Sequence, residues 1–318
     1  MEFEHQLESP AQLRVGLIGD PVAHSYSPRF QQAAFDACGI PARYELWQTA
    51  EDELSARVAS LLAPRSLGAN ITIPYKEAVL PLLDVVDPLA ARIGAVNTIV
   101  RRDGYLYGYN TDAPGLLYAL VELGVGQLRA TTSAAPPFPF ENEGGLRESF
   151  SFEGYTVVML GAGGAARGAA FALVNASVKR LVIVNRNLER AQRLAAEVQQ
   201  ESSCQVFCLN DPEYLIPGQR SLIINATPVG MHLANEQGQG DVEKSSPLSA
   251  EVLARFAAGT FVFDMIYNPT QTQLLCQART LGLRAVNGLP MLLHQGALAF
   301  TLWTGQPAPL ELMRSALL

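Results

Sequence analysis

The chain has 318 residues, of which 48% are hydrophobic and 17% are charged, and its formal net charge is −7. This length and composition predict about two globular domains. The acidic balance argues against nucleic acid or an anionic membrane surface as a general partner. Among the four cysteines only Cys204 and Cys208 lie close together, and no second Cys or His pair completes a zinc site. We therefore expect reduced thiols and no bound metal.

The amino-terminal residues 1–4 lack the basic and apolar regions of a signal peptide. No run approaches the ~18 consecutive apolar residues of a membrane helix. We therefore expect a cytoplasmic protein without a membrane partner. A nucleic-acid partner is not expected either, and the expected oligomeric state is a monomer or homodimer.

Short apolar runs predict β-strands that alternate with helical patterns. The predicted strands are 14–18, 43–47, 68–73, 97–101, 156–160, 180–184, 221–225, 261–264 and 284–286. The predicted helices include 51–62, 113–123, 188–200, 270–281, 291–304 and 309–317. Such alternation predicts an α/β protein with mostly parallel sheets that are covered by helices on both faces.

Residues 127–153 interrupt this alternation. They contain Pro136, Pro137 and Pro139, followed by Gly144 and Gly145, and show no clear period. The segment is therefore predicted to be a long loop or a partly disordered insertion near the domain junction.

A glycine-rich turn follows the predicted strand 156–160 and precedes an alanine-rich helix. It fits the pattern G-x-G-x-x-G/A with Gly161, Gly163 and Ala166 at the three small positions. The first glycine permits a tight turn, the second lets a pyrophosphate approach the backbone, and the third lets the helix pack on the strand. The N–H groups at the start of the helix suit phosphate. The pattern predicts a Rossmann dinucleotide domain, the alternative being a glycine-tolerant turn in another α/β protein.

The residues after the second strand of this domain indicate which dinucleotide it binds. An NAD site usually has an acidic residue there, which binds the ribose 2′-hydroxyl. This chain instead has Asn185 and Arg186, with Arg190 four residues beyond Arg186. Forked guanidinium donors suit a 2′-phosphate, so we predict NADP(H). The alternative is a solvated helix start, in which Arg190 pairs with a nearby glutamate.

Eight short motifs follow one another along nearly the whole chain. In order they are H-S-Y-S-P from His24, N-I-T-I-P-Y-K from Asn70, G-A-V-N-T from Gly94, N-T-D from Asn110, G-A-G-G-A-A-R from Gly161, N-R-N-L-E-R from Asn185, N-A-T-P-V-G-M from Asn225 and M-L-L-H-Q-G-A-L-A-F from Met291. This series resembles the shikimate dehydrogenase family, except in 127–153 and the first dozen residues. The resemblance implies reversible NADPH-dependent reduction of 3-dehydroshikimate to shikimate, in the chorismate pathway to the aromatic amino acids.

The resemblance also implies a division into two α/β domains. A substrate-binding domain with a mostly parallel sheet is expected over 1–112 and 288–318, with the C-terminal helices packing back on it. A Rossmann NADP-binding domain is expected over 113–287, including the insertion at 127–153.

Ser25 and Ser27 are two residues apart, so in an extended segment both hydroxyls would lie on one side and could bind a carboxylate. Ser27 would equally suit the N-cap of a helix that begins at Pro28. The residues alone support carboxylate binding and helix capping equally. The resemblance implies that both serines hold the substrate carboxylate.

Lys76 follows Pro74 at the start of a predicted helix, where positive charge is unfavourable and the neutral amine suits proton transfer. The residues alone favour a solvated surface lysine. The resemblance instead implies that Lys76 is the catalytic acid/base. Asp112 could simply cap the predicted helix 113–123, whereas the resemblance implies that it binds a ring hydroxyl and works beside Lys76.

The resemblance implies further contacts with the substrate and the cofactor. Thr72, Asn97, Tyr267 and Gln295 are expected at the substrate. The cofactor residues are expected to be Gly161, Ala162, Gly163, Gly164, Ala165, Asn185, Arg186, Arg190, Thr227, Met265 and Gly288. Asn187 departs from the threonine that the family often has.

Three alternatives to this function stay open. A quinate/shikimate dehydrogenase with relaxed substrate choice is the nearest. Quinate carries an extra hydroxyl, so the polarity of the pocket near Ser27 and Tyr26 would decide between the two. A methylenetetrahydrofolate dehydrogenase shares the two-domain layout, but the S-x-S and N-T-D motifs argue against it. A non-catalytic NADP-sensing protein would need neither Lys76 nor Asp112.

Overall fold

The computed structural model describes residues 12–131, 147–200, 202–218, 220–231 and 245–318. Contacts within the chain divide it into two compact units. The first comprises Met1–Thr111 with Leu293–Leu318, and the second comprises Asp112–Leu292. Each unit is built around its own six-stranded sheet.

The first unit begins with alternating strands and helices and continues into a β-hairpin. Its elements are β1 (Leu13–Gly19), α1 (Ser27–Ala37), β2 (Ala42–Gln48), α2 (Leu54–Ala59), β3 (Ser66–Ile71), β4 (Val85–Val86), α3 (Pro88–Ile93), β5 (Thr98–Arg102) and β6 (Tyr105–Tyr109). The strand order is β2-β1-β3-β5-β6-β4. Strand β1 pairs in parallel with β2 and β3, whereas β5 runs antiparallel to β3 and β6.

The second unit contains a fully parallel sheet. Its elements are α4 (Asp112–Glu122), β7 (Gln127–Thr131), β8 (Arg147–Ser151), β9 (Thr156–Leu160), α5 (Gly164–Asn175), β10 (Arg180–Val184), α6 (Leu188–Gln200), β11 (Gln205–Leu209), β12 (Ser221–Asn225), α7 (Ala250–Leu253), β13 (Phe261–Asp264), α8 (Gln273–Thr280) and β14 (Arg284–Val286). The order β11-β10-β9-β12-β13-β14 reverses direction between β9 and β12. Ligands of such sheets bind outside the carboxyl ends of the strands at this switch point.

Two helices, α9 (Leu289–Thr304) and α10 (Leu310–Leu317), complete the described chain. Within the first unit, the ring of Phe300 lies 5.2 Å from that of Phe35 in α1. The indole of Trp303 donates a 2.9 Å hydrogen bond to the carbonyl of Ile99 in β5. These contacts confirm the prediction that the C-terminal helices pack on the first unit.

The predicted helix 51–62 is interrupted in the structure. Helix α2 covers only its middle, and the single 3-10 turns Glu51–Glu53 and Ser60–Leu62 flank it. Strands β5 and β6 form a hairpin that was not predicted from the sequence. Its turn is Asp103-Gly104, and both residues have positive φ, at 54° and 81°. An Asp-Gly pair with these angles is a strong hairpin signal.

The interpretation of 127–153 as a loop is wrong at both ends of the segment. Strands β7 and β8 pair antiparallel there, with Leu128 opposite Phe150. Phe150 and Phe152 alternate with polar residues, and both are buried, Phe152 completely. This period of two is the strand signal that the prolines and glycines obscured. Residues 132–146 lie outside the described residues.

We expect Phe152→Ala to lower the free energy of unfolding by about 3–5 kcal/mol, because it leaves a cavity in a packed core. Phe207→Ala is the matched control. This phenylalanine is 47% exposed on the edge strand β11, so its loss should cost about 1 kcal/mol. Urea unfolding of the full chain measures both values, and equal costs would contradict a core role for the end of the insertion.

Candidate active site

The glycine turn lies at the carboxyl end of β9, at the switch point of the parallel sheet. Gly161 has a φ of +106°, and a Cβ there would come within 3.1 Å of the Thr227 methyl group. Gly163 precedes α5 in extended backbone, with no side-chain hydrogen bond capping the helix. A Cβ at Gly163 would meet no atom within 4 Å. The chain's own packing therefore requires glycine at position 161 but not at position 163.

The remaining residues of the turn follow the predicted pattern. Gly164 and Ala165 are the first two residues of α5 and are exposed, whereas Ala166 is fully buried. Ala162 lies between the two glycines and is half-buried. The N–H groups at the start of α5 and its positive dipole end suit a phosphate.

The tip of β10 carries the predicted residues of the 2′-phosphate site. Arg186 and Arg190 are exposed, and neither forms an ion pair with another described residue. The Asn185 amide donates to the Asn187 carbonyl at 2.7 Å. The side chain of Asn187 accepts a 3.0 Å bond from the backbone N–H of Arg190 and so caps α6. The alternative pairing of Arg190 with a glutamate does not occur among the described residues.

Buried polar groups connect the ends of β12 and β13. The Asp264 carboxylate is fully buried and accepts hydrogen bonds from the Asn225 amide at 2.9 Å, the Ile266 N–H at 3.1 Å and the Thr272 hydroxyl at 2.6 Å. Asn225 also accepts a 2.7 Å bond from the Thr227 hydroxyl. The loop that carries Thr227 is thereby tied to the loop after β13.

Met265 and Gly288, two predicted cofactor residues, lie in direct contact. The Met265 N–H donates to the Asn225 carbonyl at 3.0 Å. A Cβ at position 288 would lie 2.2 Å from the Met265 carbonyl oxygen, so this approach needs a glycine. Tyr267 is half-buried, two residues beyond Met265.

Lys76 lies in a series of turns after β3. The prediction that a helix starts at Lys76 is therefore wrong. The Val79 N–H donates to the Tyr75 carbonyl at 3.0 Å, but a helix does not continue, and a single 3-10 turn follows at Leu80–Leu82. The Leu80 N–H donates to the Glu77 carbonyl rather than to the Lys76 carbonyl, and Pro81 has no N–H for the helical bond after that, which explains the difference. Lys76 is half-buried, and its carbonyl accepts a 2.8 Å bond from the N–H of Val96. The backbone of the loop is thus fixed without a helix.

Both interpretations of the local backbone at Ser25 and Ser27 need correction. Tyr26 has helical angles, so the segment is not extended, and Ser27 is the first residue of α1 and not its cap. The Ser25 hydroxyl accepts a 3.2 Å bond from the N–H of Ser27. Ser25 therefore satisfies one of the N–H groups left open at the helix start. Ser27 is buried.

Asn97 and Gln295 are brought together in a buried polar cluster. The Asn97 amide donates to the Thr111 hydroxyl at 2.9 Å and to the Gln295 side-chain oxygen at 3.4 Å. The Asn97 oxygen accepts a 2.7 Å bond from the Thr111 N–H. Asn70 extends the cluster. Its amide group donates a 3.1 Å hydrogen bond to the Asn97 carbonyl, and its side-chain oxygen accepts a 2.8 Å hydrogen bond from the Tyr44 hydroxyl. The cluster therefore fixes the side chains of Asn97 and Gln295, which are both predicted substrate residues.

Two predicted residues border these features. Thr72 directly follows β3. Its N–H donates a 2.9 Å hydrogen bond to the Ile18 carbonyl, and its carbonyl accepts a 2.9 Å hydrogen bond from the Tyr75 N–H. Asp112 is the first residue of α4 and of the second unit.

The residues that support the site were not predicted from the sequence. These are Tyr44, Asn70, Thr98, Thr111, Asn225, Asp264 and Thr272, all of them buried. Asn70, Thr111 and Asn225 lie within the motifs, each at or just after the end of a strand. A polar residue that ends an apolar run was the available signal, because buried polar groups need partners.

Within the described part of the chain, no group of three or more His, Cys, Asp or Glu side chains is placed to hold a metal ion. None of the helices described is both long and apolar enough to cross a membrane.

The strand order of the second unit, its glycine turn and the arginines beyond β10 define a dinucleotide-binding protein of the Rossmann class. Models of three family domains match the chain. "Shikimate dehydrogenase substrate binding domain" matches residues 17–99, "Shikimate / quinate 5-dehydrogenase" matches 146–245, and "Shikimate 5'-dehydrogenase C-terminal domain" matches 288–318.

Relatives of known name agree with these matches. "Shikimate dehydrogenase (NADP(+))" of Geobacillus kaustophilus is 40% identical over 92% of this chain and 92% of its own length. The structure of shikimate 5-dehydrogenase from Thermus thermophilus with NADP(H) and shikimate is 35% identical, covers 96% of this chain and 98% of its own, and has a TM-score of 0.75. The structure of quinate dehydrogenase from Corynebacterium glutamicum with NAD is 28% identical, covers 96% of this chain and 99% of its own, and has a TM-score of 0.76.

The chain belongs to the shikimate dehydrogenase family. The family and the α/β fold class predicted from the sequence are confirmed, and the enzyme class and NADP dependence predicted for this chain agree with the names of its relatives.

We expect the stability of Asp264→Asn relative to the parent chain to increase with pH. Burial is the largest influence on Asp264 and raises the pKa of its carboxyl, against the hydrogen bonds that lower it. The folded chain then binds more protons than the unfolded chain above the ordinary pKa near ~4, so the parent loses stability as pH rises through this range. Asparagine does not titrate there, so urea midpoints of both proteins from about pH 4 to about pH 7 measure the difference.

Asp264→Ala is the control for a loss of packing and hydrogen bonding. It leaves three donors without their acceptor and should destabilise the chain by about 3–5 kcal/mol, an amount that falls as pH rises because alanine, like asparagine, does not titrate. An advantage of the parent over Asp264→Asn that grows with pH would contradict the raised pKa.

Proposed function

We propose that this chain catalyses the reversible NADPH-dependent reduction of 3-dehydroshikimate to shikimate, with Lys76 as the acid/base. The observation that carries the proposal is the joint occurrence of two sets of residues in a member of this family. The first unit holds Asn97 and Gln295 in a buried hydrogen-bonded cluster, and the second has a glycine turn at the switch point of a Rossmann sheet.

The first unit is proposed to bind the substrate. Ser25 and Ser27 hold its carboxylate, and Thr72, Asn97 and Gln295 orient its ring hydroxyls. The side-chain oxygen of Asn97 is occupied by the Thr111 N–H at 2.7 Å. The amide of Asn97 is therefore fixed in one orientation, which suits a site that positions several hydroxyls at once.

The second unit is proposed to bind NADP(H). Gly161–Ala165 and the start of α5 receive the pyrophosphate, and Asn185, Arg186 and Arg190 receive the 2′-phosphate. Thr227, Met265 and Gly288 lie on the loops after β12, β13 and β14, where the rest of the dinucleotide is expected. The open space beside Gly163 fits this assignment. When bound, the cofactor supplies or accepts the hydride.

Lys76 is proposed to exchange the proton at the reacting oxygen through its Nζ atom, in the direction set by the substrate. Asp112 is proposed to bind a ring hydroxyl and work beside Lys76, and Tyr267 is proposed to contact the substrate. Because the backbone around Lys76 is held by Val96, the lysine is attached to a fixed loop. General acid–base catalysis then adds to the gain from positioning.

The proposal includes the domain limits given above, with a substrate domain over 1–112 and 288–318 and a cofactor domain over 113–287. It also includes a cytoplasmic monomer or homodimer. The net charge of −7 supports the absence of a nucleic-acid or anionic membrane partner.

Absorbance assays of the purified chain test the activity, with shikimate and quinate each supplied with NADP⁺ and NAD⁺. We expect turnover with shikimate and NADP⁺, and expect Lys76→Ala to lower kcat by about 10²–10⁴-fold because the acid/base is lost. Lys179→Ala changes an exposed lysine of the second unit and should leave kcat unchanged.

Three outcomes would contradict the proposal in different ways. No turnover with any pair, together with NADP⁺ binding, would favour the sensing protein. Turnover of quinate at least equal to that of shikimate would favour the quinate-oxidising alternative. Near-parental kcat in Lys76→Ala would remove the lysine from the mechanism.

Arg186→Ala tests the cofactor assignment. Loss of a charge-assisted contact to the 2′-phosphate should raise KM for NADP⁺ by about 10–100-fold and leave KM for NAD⁺ unchanged, since NAD⁺ lacks that phosphate. Arg193→Ala, which changes an exposed arginine on α6, is the matched control. Equal increases for both cofactors would overturn the role of Arg186.

A further inference from the structure

The first unit has a groove at the end of its sheet where β1 and β3 begin. Its volume is ≈ 720 Å³, which is the size of pockets for small molecules. Its walls include Arg14 of β1, Glu45 and Trp47 of β2, Arg57 of α2, and Arg65 and Ser66 at the start of β3.

This groove is separate from the proposed substrate residues. Arg14 and Ser66 are at the amino-terminal ends of β1 and β3, whereas Ser25 and Thr72 follow the carboxyl ends of the same strands. Strands of six and seven residues, as here, span about 20 Å. The groove and the proposed substrate site therefore lie at opposite ends of one sheet.

The groove carries an excess of positive charge. Glu45 is engaged by Arg14 at 2.7 Å and by the Trp47 indole at 2.7 Å. The hydrogen bond from Arg14 lowers the pKa of Glu45, so this carboxylate stays ionised and pairs with Arg14. Arg57 and Arg65 form no ion pair with another described residue. Two positive charges are thus uncompensated in the groove of a chain whose net charge is −7.

Two donors in the groove walls lack a hydrogen-bond acceptor. The Nε atom of Arg57 and the hydroxyl of Ser66 are shielded from solvent, and neither has a partner in the described chain. The Arg57 guanidinium instead lies 5.8 Å from the centre of the Trp47 ring. Buried donors are almost always paired in proteins, so the chain leaves hydrogen-bonding capacity unused in two side chains that line the groove.

We propose that this groove is a second anion site, which binds a small molecule through a phosphate group. Arginine forks match phosphate oxygens in geometry and charge, and Ser66 adds a neutral donor. A concave surface of one charge also raises the local concentration of anions. The volume leaves room for an organic part beyond the phosphate.

Tryptophan fluorescence tests this site, because Trp47 is one of only two tryptophans in the chain, with Trp303. The full chain is first saturated with NADP⁺, so that the dinucleotide site cannot take up the probe, and is then titrated with inorganic pyrophosphate at constant ionic strength. We expect a saturable change in emission that is absent in Trp47→Phe.

Arg57→Gln and Arg65→Gln should each weaken pyrophosphate binding by about 10-fold or more, because each removes a charge-assisted donor. Arg102→Gln is the matched control. That arginine also stacks on an aromatic ring of the first unit, at 5.9 Å from the centre of the Tyr107 ring. The Arg102→Gln variant should bind pyrophosphate as the parent chain does. Arg65 is exposed, so its variant keeps the test valid if Arg57→Gln unfolds.

No saturable change in the NADP⁺-saturated chain would overturn the proposal. Binding that survives in both groove variants, or that weakens equally in Arg102→Gln, would overturn it as well. Turnover of shikimate does not enter this test, so its outcome is independent of the proposed catalytic activity.

Discussion

Hydrogen bonding of buried polar groups at the carboxyl ends of strands is the constraint on which the candidate site depends. Asp264 illustrates it, since a carboxylate without partners in the core would cost several kcal/mol. Its three donors come from β12, from the residue two positions beyond the end of β13, and from the N-cap of α8. Two loops and one helix start are therefore fixed relative to each other. Thr227 and Met265 lie on those loops, so the proposed cofactor contacts depend on an acid that contacts no proposed ligand.

The first unit uses the same physics with neutral groups. Asn97 and Thr111 exchange hydrogen bonds in both directions, which sets the orientation of the Asn97 amide. Asn70 and Tyr44 then connect this pair to β2 and β3. A fully satisfied buried network is rigid, because each group loses a partner if its neighbour rotates. Each unit therefore has its own rigid hydrogen-bonded network. The network of the second unit is centred on the carboxylate of Asp264, and that of the first unit on the neutral amide of Asn97.

The sequence predicts best those elements whose signal is local. Strands β9, β10, β12, β13 and β14 coincide with the prediction. The first four are short apolar runs buried in a parallel sheet, whereas β14 is a half-buried edge strand. The helix expected at Lys76 fails because Pro81 removes a bond that periodicity does not register. The turn at Ser25 depends on a bond from the Ser27 N–H that the spacing of the two serines does not indicate. The cluster around Asn97 depends on partners distant in sequence, such as Gln295. Sequence reasoning therefore reached the proposed ligand-binding residues through the motifs but not the residues that hold them.

The acidic charge of the chain raises the question of how it would bind anions at all. A net charge of −7 opposes a cofactor phosphate and a substrate carboxylate at long range. At physiological ionic strength, however, charges more than about 8 Å away are largely screened. Donors at hydrogen-bond distance then dominate, and the second unit presents them at the start of α5 and at Arg186 and Arg190. The placement of a few donors, rather than net charge, would therefore decide which anions bind, and the same argument applies to a groove whose arginines outnumber its single glutamate.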